Sequence, residues 1–391
     1  MQILLSHDLL GLWHLGYCHE DYLPTRRGFD SFFGHLTEHC DHYSRMLGTN
    51  EVIGKSYDLR RNENISYDGA GLYSSVLWEQ EAIQTLENLT RPDNPSPWYL
   101  QLSMTAATFP FQAPQSFVSM YDTKNTNKRK FVRRAMVTAA DQSIGKVIEK
   151  LKSTPDWNST IVIFLSDCGG PSKESNLPFK GTGGTLQEGA VRVPAFISGP
   201  LIQQSSRMGN MVHITDVFQT IVELAGVKQK MLQSDGFNIW DSIHGKERFK
   251  RNVVVYNLDI DDRSPNFHFA VRLGDWKLFW GQPGKLEVNE RQEHVIELYD
   301  LKNDPYEDHN IVNKKPQKVK ELKNLILSLL QEMKVAYQPN MHSLAFPRYN
   351  EGLIRPGWCR SDWDSILWKQ SIQWDQELLQ LLSEDGKEIQ N

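Results

Sequence analysis

Thr160-Ile161-Val162-Ile163-Phe164-Leu165 runs straight into Ser166-Asp167-Cys168-Gly169-Gly170. The first six residues are a continuous, β-branched apolar run, the pattern of a strand covered on both faces in a parallel sheet. The paired glycines end it. In an open α/β sheet, ligands sit beyond the carboxyl ends of the strands. Asp167 is therefore where chemistry is expected. Upstream, Trp98-Tyr99-Leu100-Gln101-Leu102 reads as another strand, bounded by Pro95 and Pro97. Between the two runs, Met136, Ala140, Ile144, Val147, Ile148 and Leu151 recur on one side of a helix. A second helix is expected over Ile214 to Leu224, with Gly226 as its stop. Strands alternating with amphipathic helices predict a mainly parallel sheet flanked by helices.

Beyond about residue 250 the pattern changes. Val253-Val254-Val255-Tyr256, Phe269-Ala270-Val271-Arg272 and Trp276-Lys277-Leu278-Phe279 are short strands, and Gly274-Asp275 marks a hairpin between the last two. A helix is predicted from Pro316, with Val319, Leu322, Ile326, Leu329, Leu330 and Met333 as its core stripe. The reading is an α/β domain over residues 1–250 and a smaller sheet-and-helix subdomain with a tail over 251–391. Trp358, Trp363, Trp368 and Trp374 in that tail are expected to pack against the body rather than offer stacking surfaces for sugars.

Composition narrows the function classes. The 391 residues are 39% hydrophobic and 23% charged, ordinary values for a globular protein. A net charge of −5 gives no reason to expect nucleic acid or an anionic membrane surface. The basic run Lys128-Arg129-Lys130 with Arg133 and Arg134 reads as a solvated helix face. No stretch approaches the roughly 20 apolar residues of a membrane span. His7 and Asp8 interrupt the first apolar run, so no signal peptide is read there. Three sequons, at Asn64, Asn88 and Asn158, offer N-glycan acceptors and lean towards a secretory origin. Cys18, Cys40, Cys168 and Cys359 match no zinc spacing, and one bridge among them is open to any pair.

An ordered series of short motifs carries a resemblance. It begins with Gly11-Leu12-Trp13-His14-Leu15-Gly16, then Leu23-Pro24-Thr25-Arg26-Arg27-Gly28-Phe29-Asp30 and Phe33-Gly34. It continues through Phe109-Pro110-Phe111-Gln112-Ala113-Pro114, the Asp167 segment, Asn176-Leu177-Pro178-Phe179-Lys180-Gly181 and Glu188-Gly189-Ala190-Val191-Arg192. His213-Ile214-Thr215-Asp216, Trp276-Lys277-Leu278, Leu298-Tyr299-Asp300 and Asp304-Pro305-Tyr306-Glu307 complete it. The series resembles the type I sulfatases, and most closely their arylsulfatase B, I and J branch. The resemblance implies an alkaline-phosphatase-like α/β fold, a mixed sheet flanked by helices with a small C-terminal antiparallel sheet and helix. It also implies a calcium ion held by carboxylates and an amide, and a formylglycine nucleophile made from the Cys of Cys-x-Pro-x-Arg. Two lysines and two histidines would stabilise the sulfate, the substrate would be a sulfated glycan or aryl sulfate, and the compartment lysosomal or secreted.

This sequence departs from that pattern at the chemistry. No Cys-x-Pro-x-Arg or Ser-x-Pro-x-Arg occurs in the 391 residues, and the family segment carrying it and the paired metal-binding Asp residues is expected to be missing. The signature lysine is Leu12, the His of His-x-Pro is Thr108, the metal-binding Asn is Cys168, and the second lysine is Gly183. His14 and Asp167 remain as the candidate catalytic and metal-binding residues. Loss of one oxyanion-type donor typically costs ~10²–10³ in rate, so an inactive sulfatase-like protein with weak or no calcium is expected. The alternatives are an active calcium-dependent arylsulfatase whose N-terminal segment lies outside this chain, and a non-catalytic glycan- or protein-binding module. His14 is read as a packed structural residue and Cys168 as buried and inert. The Gly181-Thr182-Gly183-Gly184 segment is read as a turn rather than a phosphate cradle.

Overall fold

The computed structural model describes residues 5–48, 55–94, 96–121, 128–202, 205, 207–227, 234–245, 250–260, 267–281, 295–333 and 343–359. These divide into two compact units. One holds the described residues of Met1–Ser159 and Pro339–Asp364, the other those of Thr160–Gln338. The tail positions Trp363, Trp368 and Trp374 lie outside the described residues.

In the first unit, β1 (Ser6–Leu12) lies between parallel neighbours β2 (Ser31–His35) and a later strand. β3 (Met46–Leu47) and β4 (Ser56–Tyr57) form a short separate ladder. β5 (Arg60–Arg61) and β6 (Asn64–Ile65) extend the main sheet antiparallel. After α1 (Ser74–Leu89) the chain returns as β7 (Trp98–Ser103), giving the order β6-β5-β2-β1-β7. A one-turn α2 (Gln115–Val118) precedes the long α3 (Lys128–Lys152). α3 buries Ala135, Met136, Ala139, Ala140, Val147 and Leu151, and α1 buries Leu77, Trp78, Ala82 and Leu86. The two helices pack together. Alanines on α3 allow close approach, and Lys146 to Glu79 at 2.9 Å closes the seam.

Gly11 shows why glycine is needed at the end of β1. Its φ is +99°, and a Cβ there would fall 2.0 Å from the Ser103 carbonyl oxygen. Leu9, Trp13, Leu23, Phe32, Leu36 and Ile354 form the apolar cluster beneath this end of the sheet. Each such side chain contributes about 1.5–3 kcal/mol when fully buried. The segment carrying Ile354 is fastened by a disulfide between Cys18 and Cys359, 341 residues apart. Tyr17 packs edge-on against Trp358 at 5.9 Å, so this one described tail tryptophan does pack against its unit.

In the second unit, β8 (Val162–Leu165) is the strand read first from the sequence. α4 (Lys173–Asn176) and α5 (Glu188–Val191) are single turns, followed by β9 (Ala195–Ser198). β8 was expected in a parallel sheet and covered on both faces. Instead it pairs antiparallel with β9 in a two-stranded sheet. Phe164 and Leu165 are 36% and 37% exposed, because only one strand flanks β8 among the described residues. α6 (Ile214–Leu224) matches its predicted bounds, and the His213 side chain and Asp216 form a reciprocal cap at its start. α7 (Trp240–Ile243) is one turn.

The small antiparallel sheet follows as β10 (Val253–Ile260), β11 (Phe267–Leu273), β12 (Trp276–Gly281) and β13 (Val295–Asp300), paired in that order. Gly274 at φ +60° makes the expected hairpin. α8 (Pro316–Leu330) buries Val319, Leu322, Ile326 and Leu330 against Phe267, Phe269, Val271, Leu278, Trp280 and Leu298. This is the predicted core stripe. The division into compact units falls at residue 160, with the small sheet in the same unit as Asp167.

Candidate functional site

The Gly11-to-Gly16 motif forms a turn at the carboxyl end of β1. Trp13 anchors it: the ring is buried, and Nε1 donates to the carbonyls of Gly16 (2.9 Å) and Tyr22 (3.0 Å). The His14 amide donates to the Leu36 carbonyl at 3.2 Å, and the backbone there is left-handed, φ +48°. The imidazole expected to pack as a structural residue instead points outward, 52% exposed. Anchoring Trp13 inward puts its neighbour outside. His14 Nδ1 lies 3.8 Å from Glu38 Oε2, and Glu38 Oε1 lies 3.2 Å from His39 Nδ1.

His39 is also left-handed, φ +66°. Non-glycine residues in this region are uncommon and concentrate where surrounding structure enforces them. The His39 ring tilts against Phe109 at 5.8 Å. Thr108 immediately precedes Phe109. Its hydroxyl donates to the Thr105 carbonyl at 2.9 Å, so it is occupied by its own loop. The first unit thus brings together His14, Glu38, His39 and the Thr108-Phe109 corner. Sequence reasoning missed Glu38 and His39. The available signal was the dense titratable run Glu38-His39-Cys40-Asp41-His42.

Asp167 stands in the second unit, exposed, in the loop after β8. Its Oδ1 accepts the Cys168 amide at 2.8 Å. Cys168, expected to be buried, is exposed. It is still a poor nucleophile, because partial burial and the Asp167 carboxylate both hold its thiol above the ordinary range. Asn176 pins the neighbouring loop by accepting the Gly170 amide and donating to the Gly170 and Gly181 carbonyls. As a result Gly183 faces Cys168: a Cβ on Gly183 would lie 3.6 Å from Cys168 Sγ. The segment Gly181 to Gly184 is a turn, as expected, but a tied rather than a flexible one, closed by Thr185 N donating to the Thr182 carbonyl. Two surface clefts, of about 280 and 510 Å³, flank Arg61, and neither is lined by His14, Thr108 or Asp167.

A family model for sulfatases matches residues 6–227. The chain belongs to the sulfatase family. A second model, the C-terminal region of N-sulphoglucosamine sulphohydrolase, matches residues 185–336. This sulfatase-family chain is 30% identical over 391 aligned positions to arylsulfatase J of Mus musculus, covering 90% of the chain and 64% of that relative. It is 30% identical over 290 positions to N-acetylgalactosamine-6-sulfatase of Rattus norvegicus, covering 70% of the chain and 51% of the relative. The chain therefore spans less than two thirds of these relatives. Its fold is that of the crystal structure of Ps i-CgsB in complex with k-i-k-neocarrahexaose. That likeness has a TM-score of 0.66 at 22% identity and covers 96% of this chain and 78% of that one.

Proposed function

We propose that these 391 residues form a non-hydrolysing member of the sulfatase family that retains weak affinity for sulfated sugars. The observation that carries the reading is the pairing of Cys168 with Gly183. Where the resemblance places a calcium-binding amide and a sulfate-binding lysine, a thiol faces a residue with no side chain. Leu12 and Thr108 add two further losses inside the chain, the second with its hydroxyl already bonded to backbone.

The residues present do not fit calcium. Calcium takes six to eight oxygen ligands. Asp167 supplies one carboxylate, already accepting an amide, beside a soft sulfur. Among the described residues Asp167 belongs to no group of three metal-capable side chains. The chemistry left is recognition: His14 and His39 present imidazole donors at the surface, and a sulfate group accepts such donors. A secretory location is part of the same reading. Asn64, Asn88 and Asn158 are all exposed, as N-glycan acceptors must be. The Cys18–Cys359 disulfide fits an oxidising compartment.

The test is turnover of a chromogenic aryl sulfate by the purified chain with added calcium, at acidic and neutral pH. The expected result is none above the uncatalysed rate, with measurable retention on immobilised heparin at low salt. Turnover that disappears in Asp167→Ala would overturn the reading.

A further inference from the structure

The loop that carries Glu38 and His39 stands on a stem made of His35, Cys40 and Asp58. One ring nitrogen of His35, the Cys40 sulfur and a carboxylate oxygen of Asp58 lie within 4.8 Å of one another. All three residues are buried, with exposures of 2%, 8% and 0%. Among the described residues no other three His, Cys, Asp or Glu side chains converge in this way. None of the three belongs to the motifs that carry the family resemblance.

We propose that His35, Cys40 and Asp58 bind one divalent transition-metal ion, zinc foremost, as a structural site beneath that loop. The donor set decides the ion. A thiolate, an imidazole and a carboxylate are all ordinary zinc ligands. The thiolate disfavours calcium and magnesium, which take hard oxygen donors. Spacing agrees. Cys40 Sγ is 4.0 Å from Asp58 Oδ2, about half an ångström beyond the separation of two donors on one tetrahedral zinc.

The surroundings already orient the ligands. His35 Nδ1 bonds the Asp58 carbonyl oxygen, which holds the ring against Asp58. The Asp58 carboxylate is aimed by three donors: Leu36 N at 3.2 Å, Thr37 N at 2.8 Å and Thr37 Oγ1 at 2.6 Å. The Thr37 hydroxyl and the Thr37 carbonyl oxygen, each 3.7 Å from Cys40 Sγ, are neutral oxygens available for a fourth position. On loading, the Cys40 thiol releases its proton to solvent and forms the S–metal bond, with no change in oxidation state. The site gains one positive charge near Arg45 and Arg60, whose facing counter-charges are Asp41 and Asp58. The bound ion would join both ends of the segment 36–39 to Asp58 and so hold Glu38 and His39 beside His14.

The test is a cobalt(II) titration of the full chain after chelator treatment, read by absorption, with zinc as competitor. Four cysteines are present, two of them disulfide-bonded, so Cys40 and Cys168 are the free thiols. The Cys168→Ser variant leaves Cys40 as the single thiol. The expected result is a thiolate-to-cobalt charge-transfer band in wild type and in Cys168→Ser, saturating at one ion per chain and abolished by zinc. His35→Gln should weaken cobalt binding at least tenfold. Absence of the band from the folded Cys168→Ser protein would overturn the proposal, whether or not a Cys40→Ser variant folds. The outcome is independent of whether the chain turns over sulfate esters.

Discussion

At the residue scale, the central feature is one carboxylate between two imidazoles. Glu38 lies within ion-pair distance of both His14 and His39, which is where an incoming sulfate would have to compete. Exposed pairs of this kind are worth about 0.2–1 kcal/mol. Glu38→Gln should therefore tighten binding of a sulfated oligosaccharide by about 1.4- to 5-fold, measured by calorimetry at low salt. Unchanged or weaker binding would mean the two histidines are not the anion contacts. His14 and Asp167 could be found from sequence because each sits in a motif with a fixed local geometry. Glu38 and His39 could not. Their placement depends on the parallel register of β1 and β2, which brings Leu36 beneath His14. The exposure of His14 has a related cause: its apolar neighbours predict burial, but Trp13 turns inward while Leu15 stays exposed.

At the element scale, β12 carries the largest electrostatic commitment of the second unit. Lys277 is 0% exposed, and its Nζ lies 2.9 Å from both Glu188 and Glu307. It also sits over the Tyr256 ring at 4.4 Å. Two carboxylates share this ammonium, and Glu188 has in addition a longer contact with the exposed Arg192 at 4.0 Å. Burial pushes the Glu307 carboxyl above its ordinary value of 4.5 despite the pull of Lys277. Between 4.5 and the raised value the folded state holds a proton that the unfolded state has released. This contribution to stability is therefore present at low pH and lost as pH rises through the raised value. Glu307→Gln should flatten that dependence. Lys277→Met should lower stability at neutral pH by about 3–5 kcal/mol, since Glu307 loses its cation and Glu188 keeps only the longer contact with Arg192. Thermal midpoints at pH 5 and pH 7 check both, and a Lys277→Met loss equal at the two pH values would contradict the account. Such networks are opaque in sequence, where Trp276-Lys277-Leu278 reads simply as a strand. Elements with a strong apolar stripe, α3, α6 and α8, were legible. α1 was not, because Ser74, Ser75 and Glu79 occupy buried positions that look polar. β8 was legible as a strand, but its partner was not, since pairing direction depends on a segment thirty residues away.

At the scale of the whole molecule, sequence gave the family and the α/β class through the order of its motifs rather than through any one of them. A change of pattern at 250 marks where the small sheet begins, yet the unit containing that sheet starts at Thr160. The bridge between Cys18 and Cys359 was invisible in sequence, as residues 341 positions apart share no local signature. That bridge makes a covalent ring from which the residues between the two cysteines cannot escape, including the described part of the second unit. A protease that nicks a single site inside the ring would therefore linearise the molecule without dividing it. Nicked protein should migrate as one full-mass species on a denaturing gel and fall into two fragments only once a thiol reductant is added.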